Sequence, residues 1–418
     1  LWTFQGKITV LFDFFYIRYM RPKALIFLVS FTFLFLLPAN IAGQGCLPGY
    51  LKPYESLWNQ SPKEASLNWF KDAGFGMFVH YSLASMLPGG TDEYGKLDTW
   101  FEKQAAFEQM DRYAQKQQLL DKMTNVSPEV EKLLASFNPA KFNADSIAEL
   151  AVSAGMKYIS FTTQHVCGKI FMYNTSLSKW NTKRLFNRDL VKELSEACNK
   201  RGLGLFLYVT PPNDYLKDEL KVMLRELLTN YGAIAGIWFD GIGECYRHPN
   251  DFLESGELYA YVRELQPQCL VSFKTGFTGD EDFLAPEWSQ VKYDKNGNPI
   301  FNIHVATDNG MKIREDSQLR PVLRMTRNGL TRKFQSFKDI WEKELSKKPV
   351  ELCNTILKKE QWFDVKDGIH KNKQEVKAEY DYARKNKANY LLNIALRGDG
   401  SIHPADQSTL QGFADLKD

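Results

Sequence analysis

The chain has no pair of cysteines at zinc-ribbon or redox spacing, because Cys46, Cys167, Cys198, Cys245, Cys269 and Cys353 are scattered singly along it. That pattern signals neither a thiolate zinc site nor a disulfide framework, and if an exported chain forms one or two bridges, the sequence does not pair them. The six histidines contain no HxH, HExxH or HxxxH pair, so a metallohydrolase centre would have to be assembled from isolated ligands such as His80 and His165. No GxGxxG or GxxxxGK[ST] follows a strand-like run, which removes support from nucleotide-binding open sheets. Neither sign of charge dominates: 53 Lys and Arg stand against 50 Asp and Glu, a balance that excludes an electrostatic nucleic-acid binder. There is no repeat at a solenoid period and no long low-complexity linker.

Long apolar runs are scarce too, and the one present lies near the start. Ala24 to Pro38 (ALIFLVSFTFLFLLP) follows the basic head Met20-Arg21-Pro22-Lys23 and precedes the small residues Ala39, Ala42, Gly43 and Gly45. This is the pattern of a signal peptide, and the run is shorter than the roughly 20 residues of a spanning helix. Residues 1–45 are therefore expected to be leader and signal peptide, and 46–418 a single catalytic domain that is exported, periplasmic or secreted, with no stable membrane insertion after cleavage. Cys46 is only a weak lipoprotein-anchor candidate, since no aliphatic residue stands three positions before it.

What is abundant is apolar and aromatic: 44% of residues are hydrophobic and 14% aromatic, enough for one large core with an aromatic-lined cleft. Candidate strands are Phe75 to His80, Met156 to Thr163, Leu203 to Thr210, the GIWFDG run at Gly236 to Gly241, and Cys269 to Phe273. Between them fall helix-like stretches with apolar residues at helical spacing: Asp189 to Arg201, Glu219 to Tyr231 and Leu258 to Leu265. Phe101 to Phe137 reads as a helical insertion, and the basic stretch Arg320 to Lys348 as a solvated helix face. Nearly continuous apolar strands separated by helices require a parallel sheet covered by helices, so the fold class is α/β. The strands end on His80, Thr162, Thr163, His165, Tyr208, Asp240 and Lys274. In a (β/α) TIM-like barrel those ends converge on one mouth, where barrel enzymes place their chemistry.

Asp240 stands after Ile237-Trp238-Phe239 and before Gly241, a poor place for a strand residue and an open place for a ligand. It reads equally as a helix cap for the next segment. A glycosidase needs a second carboxylate. Glu287, in Ala285-Pro286-Glu287-Trp288, and Glu351, in Val350-Glu351-Leu352-Cys353, are candidates, and each also reads as a loop acid. Sequence distance does not fix their spacing from Asp240. Isolated strand-end histidines suit sugar hydroxyls better than a metal.

Trp69 to Ser82 (WFKDAGFGMFVHYS), Phe137 to Thr163, Arg188 to Pro211, Leu227 to Gly241 and Asn389 to Ile402 (NYLLNIALRGDGSI) together resemble, in order over roughly residues 55 to 415, the alpha-L-fucosidases of glycoside hydrolase family 29. The resemblance implies a catalytic (β/α)-barrel, a retaining mechanism and no metal or cofactor, acting on a fucosylated glycan or small fucoside. It places Asp240 as nucleophile and Glu287 as acid/base, with Glu351 in reserve. It also places His80, Trp100, His165, Tyr208 and Trp238 against the sugar, with Lys274 where an arginine is common.

The sequence departs from the family pattern at His165-Val166-Cys167-Gly168-Lys169, where a second histidine is usual. Other departures are at Lys274, which lacks the planar two-point fork of arginine, and at Thr99, where an acid is common. The first and third of these changes alter hydroxyl contacts directly, so L-galactose or another fucose-like sugar is an alternative to fucose. A carbohydrate-binding barrel with lost catalysis is a second alternative. A metal-dependent hydrolase, inactivated by chelators, is a third. The chain ends at Asp418 soon after the last barrel motif, so the family's β-sandwich is expected to be absent.

Overall fold

The computed structural model describes residues 46–97, 125–165, 170–210, 217–240, 255–273, 281–285 and 347–416, with isolated positions and short strand pairs between. The leader, the first part of the insertion and the residues Trp100, Val166, Cys167, Lys274 and Glu287 lie outside the described residues.

Residues Leu47–Asp418 form one compact unit. Its frame is a sheet of seven strands: β1 Phe75–His80, β2 Tyr158–Thr162, β3 Gly204–Val209, β4 Gly236–Phe239, β5 Leu270–Phe273, β6 Val350–Thr355 and β7 Ala388–Ala395. They lie in the order β6-β7-β1-β2-β3-β4-β5, every neighbour parallel. The expected strands are all present, each within two residues of its predicted ends. β6 and β7 are the additional pair that the Val350 and Asn389 motifs contain.

The sheet curls into a ring. Between β5 and β6, segment 281–285 bridges the gap: the Asp282 N–H donates to Val271 O at 2.8 Å, Leu284 N–H to Pro349 O at 2.9 Å and Glu351 N–H to Leu284 O at 2.8 Å. Leu284 and Val350 form a single parallel bridge. Seven strands and this segment make the closed wall of a TIM-like barrel.

Alternation along the strands sorts their side chains. Met77, Val79, Ile159, Phe161, Leu205, Leu207, Ile237 and Val271 face the outer core that the helices cover. Phe78, Tyr158, Phe206, Tyr208, Trp238 and Leu391 fill the interior. At the N-terminal end of the barrel the inward positions are glycines that make room for rings: a Cβ on Gly76 would come within 2.3 Å of Tyr158, and one on Gly236 within 2.3 Å of Phe206. Trp69 and Phe70 of helix α1, Pro62–Ala73, complete this floor, with Trp69 stacked on Phe206 at 6.2 Å.

Around the outside, α2 Ala144–Ser153 packs on α3 Leu190–Arg201, and α7 Pro404–Ala414 touches both α2 and α6 Lys373–Lys385. Further round, α4 Lys217–Thr229 packs on α5 Ser255–Leu265. Asp189 caps α3 by accepting from Lys192 N–H, and Gly202 ends it in the left-handed region at φ 65°. Among the described residues no helix is long and apolar enough to cross a membrane.

Of the predicted helical insertion, Pro128–Ser136 is a described helix. The basic stretch departs from expectation, since its described part pairs Arg324–Met325 with Arg332–Lys333 as antiparallel strands. The intervening sequence holds Asn328-Gly329, the dipeptide that most favours a hairpin. Cys46, Cys198 and Cys269 are free thiols, and burial pushes Cys198 up to about 12.

Candidate active site

The C-terminal ends of β1, β2, β3 and β4 bring five of the predicted residues together. His80, the last residue of β1, has its ring 5.7 Å from His165 and 5.8 Å from Tyr208. His165 follows β2 and stacks flat on Tyr208, 5.4 Å away with the planes 2° apart. Trp238 also stacks with Tyr208, at 5.7 Å and 23°. Trp362 lies 5.4 Å from His80, and Phe363 meets both imidazoles edge-on at 5.4 and 5.0 Å. The result is a cluster of imidazole and aromatic faces at the C-terminal ends of the strands, the kind of surface a sugar's C–H face requires, with ring nitrogens that suit its hydroxyls.

Asp240 stands two residues beyond Trp238 and so keeps its inward phase. Its N–H donates to Val209 O at 3.0 Å, which carries the β3–β4 ladder one step past the strand and fixes the backbone. The Tyr208 hydroxyl donates to Asp240 Oδ2 at 2.6 Å, orienting the carboxylate. Asp240 is partly exposed where Trp238 below it is buried, so the carboxylate lies at the opening and the ring beneath it.

Glu351 is elsewhere. It is the second residue of β6, at the opposite end of that strand from Thr355, and is only 1% exposed. Tyr158 Oη donates to Glu351 Oε2 at 2.6 Å and Trp238 Nε1 to Oε1 at 2.9 Å, so both oxygens are engaged. Burial raises its carboxyl to about 7, against the opposing pull of these two donors. A carboxyl held this way, four residues short of the strand's mouth end, faces the core and steadies Trp238.

Three contributors were missed by sequence reading. Trp362 and Phe363 belong to a Gln-Trp-Phe-Asp run after β6, an aromatic pair before an acid like that in WFDG, and that repeated pattern was the available signal. Asn393 is the polar residue within the otherwise apolar run Leu391 to Ala395, and its Oδ1 lies 2.7 Å from His80 Nδ1.

Among the described residues, the group with metal-ligand chemistry is His370, His403 and Asp406, not His80 and His165. His370 Nδ1 and Asp406 Oδ1 are 2.5 Å apart, whereas two ligands of one tetrahedral zinc would be about 3.3 Å apart. The two imidazoles stack at 4.0 Å and 12°, so their in-plane lone pairs run parallel rather than converging. His403 Nδ1 also accepts the Ala405 N–H at the start of α7. The geometry is that of a buried ion pair: burial opposes the charge on His370, but the bond to Asp406 overcomes it and raises His370, while burial and the His370 charge lower His403.

The family profile described as Alpha-L-fucosidase matches residues 48–416. The tissue alpha-L-fucosidase of Rattus norvegicus is 27% identical over 258 residues, 57% of this chain and 52% of its own. That of Bos taurus is 30% identical over 209 residues, 44% of this chain and 42% of its own. The chain thus spans about half the length of the curated relatives it matches. Among solved structures, alpha-L-fucosidase isoenzyme 1 from Paenibacillus thiaminolyticus superposes with a TM-score of 0.58 at 21% identity, covering 85% of this chain and 76% of that one. Alpha-L-fucosidase AlfC from Lactobacillus casei, solved with its alpha-L-fucose product, gives 0.53 at 22%, covering 84% and 98%. At such identities the likeness is one of fold, and it is the profile match over nearly the whole described barrel, on top of the imidazole and carboxylate cluster, that decides the matter. The chain belongs to the alpha-L-fucosidase family of glycoside hydrolases.

Proposed function

We propose that this chain is a retaining exo-glycosidase that removes terminal alpha-L-fucosyl residues from glycans. The observation that carries the reading is Asp240, a mouth carboxylate gripped by Tyr208 between the two imidazoles and Trp238. In the proposed first step the Asp240 carboxylate attacks the anomeric carbon, the bond from that carbon to the leaving oxygen breaks, and an acid delivers its proton to that oxygen. In the second step the same group, now a carboxylate, takes a proton from water as the water displaces Asp240. We assign the acid/base role to Glu287, which follows by two residues the end of the segment closing the barrel wall. The burial of Glu351, with both oxygens taken, supports that choice.

The basic head and apolar run of residues 20–38 support export to the periplasm or outside the cell. The domain limits 1–45 and 46–418 follow from the same signal.

The test is Asp240→Ala, which is expected to lower turnover of an aryl alpha-L-fucoside by several orders of magnitude with the circular dichroism spectrum unchanged. Near-normal turnover in that variant sinks the reading. Azide rescue of Glu287→Ala, with the anomeric product read by NMR, checks the acid and the retention together. Because Val166 stands where the family usually has a second sugar-binding histidine, a fucose-like sugar is the second reading. Faster turnover of the aryl alpha-L-galactoside than of the fucoside would establish it.

A further inference from the structure

His80 is placed against the sugar, and what it can do there depends on which ring nitrogen carries the proton. Its Nδ1 lies 2.7 Å from Asn393 Oδ1 in a buried contact. An amide's oxygen and nitrogen are told apart only by the company they keep, and here two neighbours settle the matter. Asn393 Nδ2 lies 3.1 Å from the carbonyl oxygen of Trp362, which can only accept. It also lies 3.3 Å from Thr355 Oγ1, whose own proton is spent on Gln361 O at 2.7 Å, leaving that hydroxyl an acceptor as well. The NH2 group therefore faces Trp362 and Thr355, and the oxygen faces His80. An amide oxygen accepts, so His80 Nδ1 must donate, and a neutral imidazole that donates at Nδ1 accepts at Nε2.

We infer that Asn393 is a positioning residue of the sugar site: it holds neutral His80 in the Nδ1–H tautomer and so makes Nε2 an acceptor, selective for a free sugar hydroxyl that donates. The inference rests on the proposed glycosidase reading for its substrate, but its core statement concerns a proton and is readable without substrate. A donor at Nε2 would tolerate an ether or a deoxy-fluoro group at that position. An acceptor does not, because a methylated or fluorinated position has no proton to give. Protonation of His80 turns Nε2 into a donor and removes the selectivity.

The experiment is nitrogen-15 NMR of the histidine-labelled full chain above pH 7, with the His80 signals assigned by their loss in His80→Phe. The expected result is a protonated Nδ1 and an unprotonated Nε2. The reverse tautomer overturns the inference, whether or not the protein turns over a fucoside. If the tautomer is as expected and no fucoside is turned over, the functional reading fails and this one stands.

Asn393→Asp is the second arm. A carboxylate at that distance favours imidazolium, so the acidic limb of the pH profile of kcat/KM should move up by about 1 to 3 pH units, with activity recovering toward wild type at high pH. A uniform loss with an unmoved limb would assign Asn393 a merely structural role.

Discussion

Replacing Glu351 by glutamine isolates the cost of a charge inside the barrel. In the native chain burial lifts this carboxyl from the ordinary 4.5 to about 7, although Tyr158 and Trp238 both donate to it. Between those two values the folded state holds a proton that the unfolded state has released, so stability falls as pH rises through that window. At about 1.4 kcal/mol per unit, the loss is about 3 kcal/mol, complete above the folded value and absent below 4.5. Glutamine reproduces the protonated acid: its carbonyl accepts from Trp238 Nε1 and its NH2 donates to Tyr158 Oη. It carries no charge at any pH. The variant should match wild type near pH 4.5 and exceed it by about 3 kcal/mol at about pH 8. Paired urea unfolding curves across that range read the difference, and every other titrating group cancels because both proteins contain it. A difference that stays flat with pH, or a variant less stable than wild type at alkaline pH, would refute both the burial argument and the hydrogen-bond assignment.

Tyr208→Phe keeps the ring stacked with His165 and Trp238 but removes the donor to Asp240. With a charge-assisted bond contributing about 1.5–3 kcal/mol, kcat/KM on an aryl alpha-L-fucoside should drop about 10- to 100-fold; unchanged kinetics would mean that the hydroxyl does not orient the carboxylate. Gly236→Ala places a methyl 2.3 Å from the Phe206 ring and 2.9 Å from Leu270 O. The overpacked floor should lose about 1–3 kcal/mol, and an unaltered melting temperature would contradict the close approach. Asp406→Asn removes the carboxylate that raises His370. That raised group stabilises the fold fully below its unfolded value near 6.5 and loses the contribution as pH rises past the folded one, so the variant's deficit should be larger at pH 5.5 than at pH 9. Equal deficits at both would mean that His370 is not charged against Asp406.

The barrel was legible because a parallel sheet writes itself as apolar runs with glycine after the helices, and because polar strand ends have little other use than a mouth. Asp240, Tyr208 and the two histidines were legible for that reason. The segment 281–285 was not. Its Glu281 and Asp282 break the apolar run, and only the fold shows that Asp282 is held by Lys63 at 2.8 Å and Arg263 at 2.8 Å while its backbone pairs with β5. The depth of Glu351 was not legible for a different reason: the sequence places an acid on a strand, but the height of a residue within a barrel depends on register and shear, which no local pattern encodes. Asn393 was hidden because its role lies in three partners, His80, Thr355 and Trp362, gathered from chain positions far apart.

Among the described residues the ring is thinly joined on both sides of segment 281–285. Around most of its circumference each strand is laced to the next by a ladder of several residues, such as the six register pairs joining β1 to β7. At Leu284 the wall is joined to β6 by two hydrogen bonds. Local opening is cheapest where the fewest bonds must break together, so the Leu284 and Glu351 amides should exchange with solvent well before those of β1 and β7. Asp240, by contrast, is fastened to the β3–β4 ladder by its N–H to Val209 O. The barrel wall is thus of unequal stiffness, firm at the ladder that fixes the Asp240 backbone and cheapest to open beside Leu284.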